Sequence, residues 1–173
     1  LVASTQKLEL TSGLAYVLPW AIFLGGFAQL IAAFFDFKHN NLFGATAFSA
    51  YGLFWLGMAM GWLIKLGFMG DSLAGMTDVK QLGAVFLGYM ILSFVLTIST
   101  LKMSKAMFLL MSLIVVLFLG LSLDSFGCGD IWHSVAAYSE LSISIVTFYV
   151  LAGKYLNSFF GKNIIPVGSA FIK

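Results

Sequence analysis

Arginine is absent from this 173-residue chain; all nine basic residues are lysine. A guanidinium clamp that grips a phosphate or dicarboxylate through two parallel hydrogen bonds is therefore excluded. A single cysteine, Cys128, rules out an internal disulfide, and no Cys/His pair has metal-ligand spacing. Charge of either sign is scarce: 9% of residues are charged, against about 25% in soluble domains. A net charge of +2 offers no basic surface to a nucleic acid, so none is expected as a partner. No cofactor is implied. What abounds is apolar sequence, 61% of the residues with a mean hydropathy of +1.01, and almost no mass remains for a soluble catalytic domain.

The apolar residues fall into five long stretches. Gly13 to Phe35 and Leu42 to Ile64 each run 23 residues without Asp, Glu, Lys or Arg. A helix rises about 1.5 Å per residue, so roughly 20 such residues cross a hydrocarbon core about 30 Å thick. Further spans are expected from Leu82 to Leu101, Ala106 to Leu123 and Ile131 to Gly153, with short connections between them. The fold class is thus all-α, a polytopic transmembrane bundle whose sequential helices are antiparallel neighbours, and residues 1–173 read as one transmembrane domain. Tyr16, Trp20, Trp62, Trp132 and Tyr155 stand near span ends, where an amphipathic ring prefers the headgroup level. The first span is too long and uninterrupted for a signal-peptide core, and no small-residue cleavage site follows it. Leu1-Val2-Ala3 opens without an initiator Met, so further sequence is expected before it.

Lysine asymmetry predicts the orientation. The first and third inter-span loops and the C-terminal tail carry Lys38, Lys102, Lys105, Lys154, Lys162 and Lys173 against only Asp36. The opposite side carries Lys7, Lys65 and Lys80 together with Glu9, Asp71, Asp78, Asp124 and Asp130. Six lysines against three put the C-terminus in the cytoplasm, in a plasma (inner) membrane.

Polar residues inside the spans are the candidates for function. Glu140 lies near the middle of the fifth span, where an ionised carboxylate is expensive. His133, Ala137, Glu140, Ser144 and Thr147 follow steps of three and four residues and form one helical stripe. Two readings stand: a wet path wall with Glu140 protonatable and linked to proton movement, or a neutral Glu140 bonded across helices as glue. His133, at the span's end beside Asp130, reads as an interfacial residue, with a titrating relay as the alternative. The second span combines Asn41, Thr46, Ser49 and Tyr51 with four glycines, of which Gly57-x-x-x-Gly61 is a close-packing pattern. Phe48, Tyr51 and Trp55 make an aromatic stripe, which reads as packing or lipid contact, with a pore wall as the other reading. Gln29, in Gly25-Gly26-Phe27-Ala28-Gln29, is a mid-span amide that needs a partner, structural or substrate, because an unpaired one costs a few kcal/mol.

The segments Gly25 to Gln29, Asp36-Phe37-Lys38 and the block Asn41-Leu42-Phe43-Gly44-Ala45-Thr46-Ala47-Phe48-Ser49-Ala50-Tyr51-Gly52-Leu53-Phe54-Trp55 resemble the acetate uptake transporter family of SatP/YaaH type. Tyr155-Leu156-Asn157 and Ile165-Pro166-Val167-Gly168 resemble the family's ending. The resemblance implies six transmembrane helices per protomer, a ring-shaped hexamer and a path for acetate or succinate through each protomer. It also implies an apolar and aromatic constriction lined by Tyr51 and by Leu113 of Ser112-Leu113. Two departures stand out. The family's Asn-Pro-Ala-Pro-Leu-Gly-Leu signature and first helix are absent, leaving five visible spans of an expected six. Glu140 occupies a place where family members usually have a small residue, often Gly.

The function expected is therefore a transporter or channel for acetate-like short carboxylates and not an enzyme. Gln29, Asn41, Thr46, Ser49, Tyr51, Leu113, Glu140 and Ser144 are the candidate path residues, the polar ones replacing part of the substrate's water. An integral-membrane enzyme or a non-transporting sensor or scaffold are the alternatives. An enzyme would need a nucleophile, metal cluster or paired acids at membrane depth, and Glu140 is the one clear mid-span ionisable group.

Overall fold

The computed structural model describes residues 1–172; Lys173, counted in the lysine asymmetry, lies outside them. All regular elements among the described residues are helical: α1 (Val2–Lys7), α2 (Val17–Lys38), α3 (Leu42–Lys65), the one-turn α4 (Asp71–Ala74), α5 (Val79–Lys102), α6 (Lys105–Ser125) and α7 (Ile131–Phe160). Five of them, α2, α3, α5, α6 and α7, are long and apolar enough to cross a membrane. The shortest, with 21 residues, extends about 31 Å. The five expected spans are all present, with ends shifted by up to four residues except for the last, which runs seven residues beyond Gly153.

Those shifts have local causes. Gly13 takes a left-handed conformation with φ +79°, so α2 starts at Val17 instead, and Pro19 sits in its first turn, where a missing N–H goes unnoticed. From Ala21 to Ala28 the helix widens to π geometry before resuming as α-helix at Gln29. The last helix runs on to Phe160 and stops where Gly161 adopts φ +63°, carrying Lys154 and Tyr155 on its final turns. At 30 residues it is about 45 Å long and exceeds the hydrocarbon core.

The chain divides into two compact units, one built from residues 12–78 and the other from residues 3–11 and 79–172. In the first, α2 packs along α3 through glycines. A Cβ on Gly25 would come within 2.6 Å of the Trp55 ring, and one on Gly52 within 3.2 Å of the Gly26 carbonyl. Gly57 and Gly61, read above as the close-packing pair, have nothing within 4 Å among the described residues. Close approach in this unit is made at Gly25, Gly26 and Gly52.

In the second unit α6 lies between α5 and α7. The Ser122 hydroxyl donates to the Gly83 carbonyl at 2.9 Å, and Phe118 stacks on Tyr89 with centroids 5.5 Å apart, joining α5 to α6. The C-terminal tail is latched by Asn157. Its Nδ2 donates to the Ile165 carbonyl at 2.8 Å and to Asn163 Oδ1 at 3.2 Å, while its Oδ1 accepts from the amides of Ile164 and Ile165. Tyr149 donates to the Pro166 carbonyl, and the Ala106 amide to that of Val167 at 3.0 Å. Asn157→Ala removes four hydrogen bonds at once and should cost about 2 kcal/mol after solvent exposure is allowed for. Hydrogen exchange at Ile164 and Ile165 should accelerate; unchanged protection would mean that the bonds of Tyr149, Ala106 and Leu101 to the tail hold it without Asn157.

Candidate functional site

Within residues 12–78, the corner between α2 and α3 is built by Asn41. Its Oδ1 accepts from the Gly44 amide at 3.3 Å, capping α3, and its Nδ2 donates to Asp36 Oδ1 at 3.0 Å. A side chain at Gly44 would strike both partners, which explains the glycine. Asn41, a candidate path residue, thus has its carboxamide engaged in shaping a turn.

Thr46, Ser49 and Tyr51 lie on one regular helix but not on one face. At 100° per residue, Ser49 sits with Ala45, Gly52 and Leu56 on the side turned to α2, and Tyr51 stands about 160° round from Ser49. Tyr51 is half-buried. Gln29 falls three and four residues after Gly26 and Gly25, on the side of α2 turned to α3. Gln29, Thr46 and Ser49 are half-buried, and their side chains make no hydrogen bond among the described residues. Three polar groups in the apolar spans are therefore left uncommitted by the fold.

The other candidates belong to the second unit. Gly120 of α6 meets the α7 backbone at Ala136, where a Cβ would lie 3.0 Å from the amide nitrogen. Leu113, two turns earlier on the same face of α6, is then level with residues about two turns later on the antiparallel α7, near Ile143. Leu113, Glu140 and Ser144 thus share one depth. The Ser144 hydroxyl donates back to the Glu140 carbonyl at 3.0 Å, and that of Ser112 to Phe108 at 2.8 Å, so both are spent within their helices.

The Glu140 residue is 8% exposed, and Lys7 Nζ donates to its Oε2 at 2.7 Å. Lys7 reaches it from the end of α1, where the sequence suggested an aqueous lysine. His133, two stripe positions earlier on α7, faces Asp124 Oδ2 at 3.2 Å through Nδ1 and the Lys7 carbonyl at 3.3 Å through Nε2. It therefore pins α1 to the ends of α6 and α7, and its partner is Asp124, not the neighbouring Asp130. The glue reading of Glu140 anticipated a cross-helix bond but not a charged partner. Lys7 is the site residue that sequence reasoning missed, because 133 residues separate it from Glu140 and no local pattern links them.

Known proteins resemble this chain over most of its length. The succinate-acetate/proton symporter SatP of Escherichia coli K12 is 30% identical over 156 residues, which cover 89% of this chain and 80% of that protein. Acetate permease A of Emericella nidulans is 31% identical over 120 residues, 66% of this chain and 39% of that one. The solved structure of the bacterial acetate channel SatP superposes with a TM-score of 0.89 at 24% identity, covering 96% of this chain and 90% of that chain, and shows that the fold is shared. Residues 7–168 match the family described as GPR1/FUN34/yaaH, a stretch that takes in all five spans and the Asn157 latch, and the chain is a membrane protein belonging to that family.

Proposed function

We propose that this chain carries acetate and related short carboxylates, succinate among them, across a plasma (inner) membrane along a path within each protomer of a homohexamer. It acts as a conduit and not as an enzyme. The observation that carries this reading is the 30% identity to a succinate-acetate/proton symporter across 89% of the chain. The uncommitted side chains of Gln29, Thr46 and Ser49 support it, because a carboxylate entering the bundle needs hydroxyl and amide donors in place of water. Asn41, Glu140 and Ser144 contribute to the path wall, and Tyr51 and Leu113 form its narrow point. The charge asymmetry favours a cytoplasmic C-terminus more strongly once Lys7 is taken out of the opposite side, leaving Lys65 and Lys80 there.

Counterflow of labelled acetate into proteoliposomes preloaded with unlabelled acetate tests the reading. The purified protein should accumulate label, and succinate in the lumen should support the exchange. Absence of counterflow with every short carboxylate would remove the reading altogether. Tyr51→Ala should raise the flux of larger dicarboxylates relative to acetate by about tenfold, the effect of lowering one barrier by about 1.4 kcal/mol. An unchanged ratio would make Tyr51 a packing residue.

A further inference from the structure

The Lys7–Glu140 pair joins a carboxylate within a span to a lysine 133 residues away in sequence. Glu140 is the tenth residue of α7, about 13 Å along a helix that is about 45 Å long, and lies within that span. The two side chains are 20% and 11% exposed. Lys7 Nζ has three N–H groups and makes one hydrogen bond among the described residues, to Glu140. Two donors on a half-sheltered ammonium are thus left for something else. The chain has no arginine.

The charge balance dictates what can join the pair. Lys7 and Glu140 together are neutral. A carboxylate added to them leaves one net negative charge at low dielectric, whereas a carboxylate added with one proton leaves none. We propose that Lys7 and Glu140 form an exchangeable ion pair in which a proton taken up by Glu140 releases the Lys7 ammonium to bind the substrate carboxylate, so that one proton accompanies each carboxylate. In this cycle a proton bonds to a Glu140 carboxylate oxygen and the Lys7 hydrogen bond passes from Oε2 to an oxygen of the incoming anion. When the carboxylate leaves, the Glu140 O–H bond breaks, the proton departs to the same side and the pair re-forms. This rests on the carboxylate reading above and adds the residues that couple it to protons.

Other charged groups near Glu140 are His133 on the same stripe of α7 and Asp124 at the end of α6. His133 and Asp124 bond to each other and to the Lys7 backbone, so they position Lys7 without touching the carboxylate of Glu140.

The test is acetate uptake in proteoliposomes with a pH-sensitive dye inside, comparing the wild type with Glu140→Gln, Lys7→Met and His133→Asn. Glu140→Gln should change the rate of acetate uptake, and the uptake that remains should lack both the accompanying acidification and the dependence on external pH. Lys7→Met should raise KM for acetate about tenfold or more, the loss of a charge-assisted bond. His133→Asn should retain coupling. In infrared difference spectra, acetate should generate a protonated-carboxyl band in the wild type that Glu140→Gln lacks. Should Glu140→Gln fail to fold, Lys7→Gln/Glu140→Gln strands no charge and should transport uncoupled with a raised KM. Wild-type coupling in Glu140→Gln or in the double variant, or no acetate-induced carboxyl band in the wild type, overturns the exchange while leaving carboxylate transport standing. A wild type that moves no carboxylate overturns both.

Discussion

Glu140→Leu should destabilise the folded protein by about 3 kcal/mol, because it leaves the Lys7 ammonium facing an apolar side chain within the bundle. The penalty is that of an unpaired charge more than of a lost attraction. A buried pair replaced as a whole by apolar residues often costs nothing, since the charges no longer need desolvation. Lys7→Leu/Glu140→Leu should therefore recover most of the lost stability. Thermal unfolding of the purified variants in mild detergent, followed by tryptophan fluorescence, reads the difference. A single variant as stable as the double one would mean that the flexible Lys7 stem carries its charge out to water, and that Glu140 does not hold it at depth.

Gly120→Val should be comparably damaging for a different reason. A Cβ at Gly120 would lie 3.0 Å from the Ala136 amide nitrogen and 3.2 Å from both the Ala136 Cα and the Trp132 carbonyl oxygen. All three are backbone atoms of α7, so no rotamer change relieves the contact; the helices must separate. Overpacking of this kind costs about 3 kcal/mol at the upper end of its usual range, and Gly120→Ala should cost less. Gly57→Ala and Gly61→Ala are the controls. With open space at both positions they should leave the protomer's stability unchanged or raise it by up to about 1 kcal/mol each through helix propensity. If Gly120→Val melts with the wild type and Gly57→Ala does not, the helix contacts assigned to the two glycines are reversed.

The spans were legible in the sequence because crossing a bilayer is a local requirement: an unbroken apolar run either is long enough or is not. The ends of α3 and α6 could be placed to within two residues, since polar caps and lysines mark them. Asn41 carried a readable N-cap signal, a side-chain acceptor just before a helical run, although its position in the motif drew attention toward substrate instead. The glycine pattern did not locate the close approaches inside the protomer, because spacing along one helix states which residues share a face and not which face meets a neighbour. Gly57 and Gly61 satisfy the spacing and touch nothing among the described residues, whereas Gly120, with no paired glycine at that spacing, receives the backbone of α7. Glu140 stood out from sequence as a costly group in need of compensation, yet the compensating charge came from Lys7, 133 residues earlier. Hydropathy is a sum over neighbours in the chain and can be read along it. The partner of a buried charge is chosen by packing between distant segments, and only the tertiary structure brings that partner within 2.7 Å.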